Sequence, residues 1–520
     1  MVDTTHYASD TNIEGKYIPK ANQFERDMDS PINLLEERYD KLVFEENSNI
    51  VYNADNVDEM MTTEEGAKEF WEILNNFFYS QKDRLEILNK YAEGQNVTIN
   101  AGKRRLENDK ADYRIAHNFV GYICDLSTDF VLSKEVTIDY DGTVEEAEND
   151  LADVAEINKL NDINTLNYEL GYDAAVFGRA IEYHYREPNN NNDYIVRLDP
   201  REAFVIRDKT VKQQVIAGVS CPVYNGKIEL KVYTKNSIYE FEPFSINAKK
   251  VKIKEVKKNP YNDIPFIEWW NNRYRKGDAE SELDSIDAYD AAQSDTANYM
   301  SDLNDAMLVL SGDVNFDKEK IRDMKEVNVI ALETGMTTNG GQTTADAKYI
   351  YKQYDVAGTE AYKDRLLNMI HLLSRVPKID DENFGNQSGI AMMYKLFGFK
   401  QLGAKKARYF SKALKERYSL IQKMRELNGG EKIDANSLLF TFHENLPQNV
   451  WEEIKQYIEV GGEISQKTLR EHTSFTNNAD ETIRIEEEDN ARMQISPEKL
   501  SLMKNNLIED ANTMLSDFTE

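Results

Sequence analysis

The chain has 520 residues, of which 93 are Asp or Glu and 63 are Lys or Arg, so its formal net charge is −30. A chain of this length exceeds what one ordinary core organises, and two or more structural regions are expected. The negative field repels phosphates, which disfavours a protein that clamps nucleic acid tightly. The 29 Tyr and 21 Phe exclude intrinsic disorder over most of the chain.

Several other function classes lack their sequence signals. The two cysteines, Cys124 and Cys221, predict buried small side chains and not a disulfide framework. No apolar run reaches the roughly 18 residues of a membrane helix, and the polar N-terminus has no secretion signal. There is no glycine-rich phosphate loop and no zinc-binding histidine pair. We predict no catalytic residue, no cofactor and no metal site, although chance acidic pairs leave a metal-dependent nuclease as an alternative.

In the N-terminal half, helical and strand-like patterns follow one another. Residues 1–30 are polar without a sustained period and predict a mobile tail. Helical apolar spacing predicts helices over residues 64–90, 109–132 and 144–172. Near Ala174 the apolar period changes to two, which predicts an antiparallel β region. The expected strands are residues 180–185, 194–198, 203–207, 214–219, 227–233, 237–242 and 250–255.

Beyond Pro265 the pattern is mainly helical. The predicted segments are a helix at 278–310, a mixed segment at 311–355, a helix at 358–376, a polar loop at 378–388, a long helix at 389–427, and shorter helices with an acidic tail at 431–520. The long helix would run about 60 Å if continuous, and Gly398 and Gly403 favour a kink that interrupts it.

Two basic segments contrast with the acidic whole. The lysine run at 249–258 favours a protected edge strand over a binding patch. Basic residues also follow the long helix, and we expect them to pair with acidic groups of neighbouring subunits. They are Lys400, Lys405, Lys406, Arg408, Lys412, Lys415, Arg417, Lys423 and Arg425.

Five aspartates share one side of the predicted helix at 278–310, opposite apolar residues such as Ile286 and Met300. They are Asp284, Asp287, Asp295, Asp302 and Asp305. The stripe is either a solvated face or the wall of an aqueous channel. A like-charged wall would let DNA slide without deep binding minima, because repulsion removes the counterion-release gain.

The polar loop before the long helix is the second candidate site. It comprises Asp380, Asp381, Glu382, Asn383, Phe384, Gly385, Asn386, Gln387 and Ser388. Pro377 ends the preceding helix, and Ser388 is a suitable N-cap for the next. The unit is either an ordinary helical hairpin or a functional loop on firm supports, and an aromatic Phe384 among polar residues favours the second reading.

Short motifs occur in a fixed order between Gln81 and Glu488. They include Tyr91 to Gly94, Ala111 to Phe119, Leu198 to Pro200, Asn259 to Phe266, Ile286 to Asp290, Val376 with Pro377, and Asn445 to Pro447. Together they resemble the portal (head–tail connector) family of siphophages that infect Gram-positive bacteria. Each motif is weak alone, but their order and spacing are specific to that family.

The resemblance implies an α+β, mainly helical portal fold, with wing, stem, clip and crown, assembled as a ring of usually twelve subunits around a central channel. The implied segments are a tail at 1–30, the wing at 31–278, the first stem helix at 279–310, the clip at 311–356, the second stem helix at 357–377, the tunnel loop at 378–388, the long kinked helix at 389–430, and the crown with an acidic tail at 431–520.

In that family the ring is a conduit for DNA packaging and ejection at one capsid vertex of the virion, after assembly in the host cytoplasm. The implied partners are further copies of the chain, double-stranded DNA in weak and non-specific transit, the terminase motor, head-completion or adaptor proteins, and the major capsid and scaffold proteins. No membrane contact and no catalysis are implied. A virion protein without a channel is the alternative.

Overall fold

The computed structural model describes residues 2–3, 50–101, 112–141, 144–187, 192–246, 250–302, 307–311, 346–350, 355–378, 389–427 and 434–445. All of them belong to the first of two compact units, Met1–Asn445. This described part of the chain mixes helices with antiparallel sheets, in agreement with the α+β prediction.

Ten α-helices lie in the described residues. They are α1 Val57–Thr62, α2 Glu64–Asn76, α3 Lys82–Ala92, α4 Val97–Asn100, α5 Phe119–Leu132, α6 Val144–Leu160, α7 Ile163–Phe177, α8 Leu283–Asp302, α9 Val356–Ser374 and α10 Gly389–Leu427. A π-helical turn, Phe77–Gln81, joins α2 to α3, and a 3-10 turn, Glu280–Glu282, precedes α8.

The strands concentrate between residues 179 and 270. In chain order they are β1 Val2–Asp3, β2 Tyr52–Ala54, β3 Thr137–Tyr140, β4 Arg179–Arg186, β5 Asp193–Leu198, β6 Ala203–Asp208, β7 Val215–Ser220, β8 Val223–Tyr224, β9 Lys227–Ile228, β10 Lys231–Thr234, β11 Ser237–Phe241, β12 Lys250–Val251, β13 Ile253–Lys258, β14 Phe266–Trp270, β15 Met307–Ser311, β16 Asp346–Ile350 and β17 Leu438–Thr441. The predicted antiparallel β region is therefore confirmed.

Two sheets form the body of this region. One has six strands in the order β13-β11-β10-β7-β6-β2, in which only the β2–β6 pair is parallel, and the other has the order β14-β4-β5. The aromatic face of α2 covers the larger sheet, where Phe77 packs on Phe204 with ring centroids 4.5 Å apart. At Gly218 a side chain would overlap the ring of Phe266, so glycine permits the close approach of the two sheets there.

The lysine-rich segment forms β13 at one edge of the six-stranded sheet, and all six of its residues are exposed. Lys257 contacts Glu240 on the neighbouring strand, with its Nζ 3.1 Å from the carboxylate oxygen. Exposed lysines on an edge strand hinder pairing with foreign strands. The edge-strand interpretation is confirmed.

Helix α10 spans 39 residues without a break, so the predicted interruption at Gly398 and Gly403 is wrong. Gly403 serves packing, because a side chain there would overlap the ring of Phe130 on α5. Near the other end of the helix, Tyr418 stacks on Phe440 of β17. The helix thus runs through the fold as a continuous rod of about 58 Å.

Three further predictions need correction. Residues 112–118 are extended, and the helix predicted from residue 109 begins only at Phe119. The helix predicted to end at residue 310 ends at Asp302, and Met307–Ser311 pairs instead with Asp346–Ile350 as a strand. Within the predicted mobile tail, Val2–Asp3 pairs with strand β12.

The two glycines of α10 provide a matched test. We expect Gly403→Ala to lower the unfolding free energy, because its new methyl group collides with the Phe130 ring. Gly398→Ala meets nothing closer than the Arg375 Cβ at 3.8 Å, and should stabilise the helix by up to about 1 kcal/mol. Urea unfolding of both variants measures the difference, and equal effects would contradict this account of Gly403.

Candidate functional site

Helix α8, which carries the predicted acidic stripe, is held to the chain by a polar face. Its buried side includes Asp287, Asp290, Ser294 and Asn298, at helical spacings of three and four. A buried face of this kind needs a hydrogen-bond partner for each group. Those partners come from the region of residues 91–118.

The extended segment 112–118 lies along α8 and donates alternate backbone N–H groups to it. Tyr113 N–H donates to Asn298 at 2.7 Å, Ile115 N–H to Ser294 at 2.9 Å, and His117 N–H to Asp290 at 3.2 Å. Two residues of extended chain advance about 6.6 Å, and four residues of helix advance about 6 Å, so the two spacings match. We call this arrangement the polar ladder.

Two carboxylates at the base of the ladder are buried and bound. Asp290 is 0% exposed and accepts from the Asn96 side chain at 2.7 Å, with the His117 Nδ1 also 2.7 Å away. Asp287 is 7% exposed and accepts from the Tyr91 hydroxyl at 2.8 Å. These contacts replace the water that ionised groups would otherwise lose on burial.

The predicted stripe is therefore divided. Asp284 and Asp295 are exposed, as predicted, whereas Asp287 faces the interior toward Tyr91. Asp302 ends the helix at the next position along the line of Asp284 and Asp295, because spacings of 11 and 7 residues return to one side. Asp305 lies outside the described residues. Asp290, a buried carboxylate that sequence reasoning missed, falls between the stripe and the apolar side.

The start of α8 is fixed by buried ion pairs. Arg84 of α3 is fully buried and pairs with Glu280, whose carboxylate also accepts from the Gly277 N–H at 2.9 Å. Lys406 of α10 pairs with Asp278 in the same way. The next acid, Glu282, is also buried, and burial together with the nearby Asp284 charge raises its pKa to about 7.

Helix α9 runs beside α8, to which it is joined by a hydrogen bond from Lys363 to Gln293 of 2.8 Å. It ends at Arg375, a left-handed residue with φ of 63°. His371 supports this end, since its Nδ1 lies 3.1 Å from the Val376 carbonyl oxygen. The predicted loop residues, Asp380 to Ser388, lie outside the described residues, and their role stays a prediction.

The basic residues of α10 mostly pair within the chain. Arg417 lies on Glu182 at 2.7 Å, Lys423 on Asp263 at 2.6 Å, and Arg425 on Asp153 at 2.5 Å. Lys400, Lys406 and Lys412 also have partners in the same chain. The expectation that this set pairs with neighbouring subunits is wrong for these six residues, because the folded chain already supplies their acids.

A family model described as phage portal protein, SPP1 Gp6-like, matches residues 72–494. The chain belongs to this family of phage portal proteins. A portal protein of Clostridium phage phiCD119 is 21% identical over 337 residues, which cover 61% of this chain and 71% of that protein. The portal protein of Bacillus phage SPP1 is 21% identical over 439 residues, 79% and 81% of the two chains.

Among solved structures, a chain of the neck of a native GTA particle computed with C12 symmetry covers 68% of this chain and 87% of its own length. It has 11% identity and a TM-score of 0.37, which is too low to place individual elements. Family membership confirms the resemblance inferred from the motifs. For this portal protein, α8, α9 and the polar ladder are the elements whose residues carry the most specific structure.

We expect the portal chain to depend strongly on Asp290. In Asp290→Asn the new amide presents donors to Asn96 and His117 where the carboxylate accepted, so the unfolding free energy should fall by about 2–4 kcal/mol. Asp295→Asn, an exposed change on the same helix, is the control and should stay within about 0.5 kcal/mol. Urea unfolding distinguishes the two, and equal stabilities would contradict the ladder.

Glu282 predicts a pH dependence of stability. Its pKa near 7 exceeds the usual 4.5, so the folded chain retains a proton that the unfolded chain releases, and stability is lost as the pH rises from about 4.5 to 7. Glu282→Gln should therefore raise the melting temperature at pH 8 and have little effect at pH 4.5. A shift that is the same at both pH values would contradict the burial of this charge.

Proposed function

We propose that the chain is the subunit of a portal ring through which double-stranded DNA passes during packaging and ejection, with the exposed side of α8 facing the channel. Family membership supports the portal function as a whole. The division of carboxylates on α8 carries the channel assignment. Asp287 and Asp290 are bound in the interior, whereas Asp284 and Asp295 are left outward.

The charge of the chain suits such a conduit. A ring of copies, each with a net charge of −30 and outward aspartates on one helix, would present DNA with a like-charged wall. Repulsion removes the counterion release that anchors DNA to ordinary binding proteins, so the DNA would slide without deep minima. Weak and non-specific contact with DNA in transit follows from this arrangement.

The segment between the two stem helices supports a clip. Strands β15 and β16 pair antiparallel from Met307↔Ile350 to Ser311↔Asp346, so the chain leaves and returns side by side between α8 and α9. We assign residues 311–356 to the clip, residues 31–278 to the wing, α8 and α9 to the stem, residues 378–388 to the tunnel loop, and residues from 431 onward to the crown.

The remaining assignments follow the family. We propose a ring of twelve copies at one vertex of the capsid, assembled in the host cytoplasm. The terminase motor and head-completion proteins would dock on it, and capsid and scaffold proteins would surround it. We assign no catalysis: among the described residues no group of three His, Cys, Asp or Glu side chains could hold a metal ion. No described helix is long and apolar enough to cross a membrane.

Electron micrographs of the purified protein test the ring directly. We expect particles with a central hole, and class averages with rotational symmetry of about twelve. Monomers, or filaments without a hole, would contradict the proposal. The same images establish whether rings form without other phage proteins.

The channel assignment predicts a specific charge effect. In the double variant Asp284→Lys with Asp295→Lys, rings should still assemble, but packaged DNA per particle should fall at low salt because phosphates now meet cations. The control reverses two exposed acids of α2, Glu65→Lys with Glu72→Lys, and changes the net charge equally. If both double variants package alike, α8 does not face the DNA.

A further inference from the structure

Helix α9 leaves an apolar row outside the folded chain. Of its 19 residues only Lys363, Ile370 and Ser374 are buried. Tyr362, Met369 and Leu373, at spacings of seven and four, lie on one side of the helix and are 40–51% exposed. The adjacent Leu372 is 69% exposed.

The row continues onto the beginning of α10. Gly398 lies next to the end of α9, since a side chain there would meet the Arg375 Cβ at 3.8 Å. On either side of this contact, Leu396 and Phe399 are buried, whereas Tyr394 and Phe397 are 79% and 59% exposed. We call the six exposed side chains the α9–α10 patch: Tyr362, Met369, Leu372, Leu373, Tyr394 and Phe397.

The composition of the patch is that of an interface core. Aromatic residues and Met are enriched where proteins associate, and charged residues are depleted there. Single exposed apolar residues are normal on a surface, but six large ones on two adjoining helix segments form a contiguous apolar surface. Such a surface is unfavourable in water unless something covers it.

Charge indicates what covers it. Two copies with a net charge of −30 each repel one another, and six basic residues of α10 are already paired within their own chain. Attraction between copies must therefore come mainly from apolar burial. A ring also needs a heterologous contact in which different surfaces of adjacent subunits meet, and an apolar row on one flank of the stem provides one half of it.

We propose that the α9–α10 patch is covered by a neighbouring copy of this chain and supplies the main attraction between subunits. This inference rests on the proposed ring, and adds which residues hold it together. The occupant is a second copy and not DNA, because a phosphate backbone gains nothing from leucine, methionine and phenylalanine side chains.

Assembly of variants tests the patch. Leu373→Asp, with or without Leu372→Asp, should convert rings to monomers in native mass spectrometry while the melting curve of the monomer stays cooperative. The matched control is Val256→Asp on the edge strand β13, where valine is 54% exposed, and it should assemble as the wild type does. Rings from Leu373→Asp that are as stable as those of the wild type would overturn the inference and leave the portal ring intact.

Protection from a thiol reagent gives an independent measurement. Both native cysteines are buried, so a maleimide should report mainly an introduced thiol. We expect Leu373→Cys to react in monomers and to be protected in rings, while Val256→Cys reacts in both. Equal reactivity of Leu373→Cys in rings would mean that the patch faces the channel or another partner. A wild-type chain that never forms rings would overturn the proposed function and this inference together.

Discussion

The buried ion pair of Arg417 and Glu182 is the interaction on which the described fold most depends. Arg417 of α10 contacts both oxygens of Glu182 on β4, at 2.9 and 2.7 Å, and donates to Asn167 of α7 at 2.7 Å. Trp269 of β14 donates to the same carboxylate at 2.9 Å. Burial alone would raise the pKa of Glu182, but the Arg417 charge and the hydrogen bonds outweigh it and hold the pKa at about 2. Removing one partner of such a pair leaves an uncompensated charge, at a cost of about 3–5 kcal/mol.

This pair explains why α10 acts as a rod for the whole unit and not as a surface for neighbours. A second buried carboxylate, Glu268 on β14, lies among Arg179, Arg207 and Arg275, and the three arginines hold its pKa at about 2 despite burial. Farther along the rod, Lys406 pairs with Asp278 just before α8. The position of the stem helix is therefore set by the same long helix that clamps the β region. Basic side chains engaged in this way cannot also attract a neighbouring subunit.

The sequence predicted the elements whose pattern is local. Helix α10 was predicted at 389–427, and the seven strands near residues 180–255 were predicted from their period of two, because burial of one face repeats along the chain. The extended segment 112–118 was predicted as helix, since its conformation is set by Ser294 and Asn298, which lie about 180 residues away. The burial of Asp287 likewise depends on Tyr91, and no periodicity distinguishes it from Asp284. Tertiary hydrogen bonds decided these positions.

A polar seat for α8 has a consequence that an apolar seat would not have. Apolar packing is non-directional and tolerates rotation of a helix, whereas hydrogen bonds of the ladder form only in one register. Turning α8 by a single residue, about 100°, would break the bonds of Asp290, Ser294 and Asn298 together and would move Asp284 from its outward position. Polar groups that fix register usually cost stability relative to apolar ones. On a helix that must keep one charged side toward a channel, the directional seat is the arrangement that holds the charges in place.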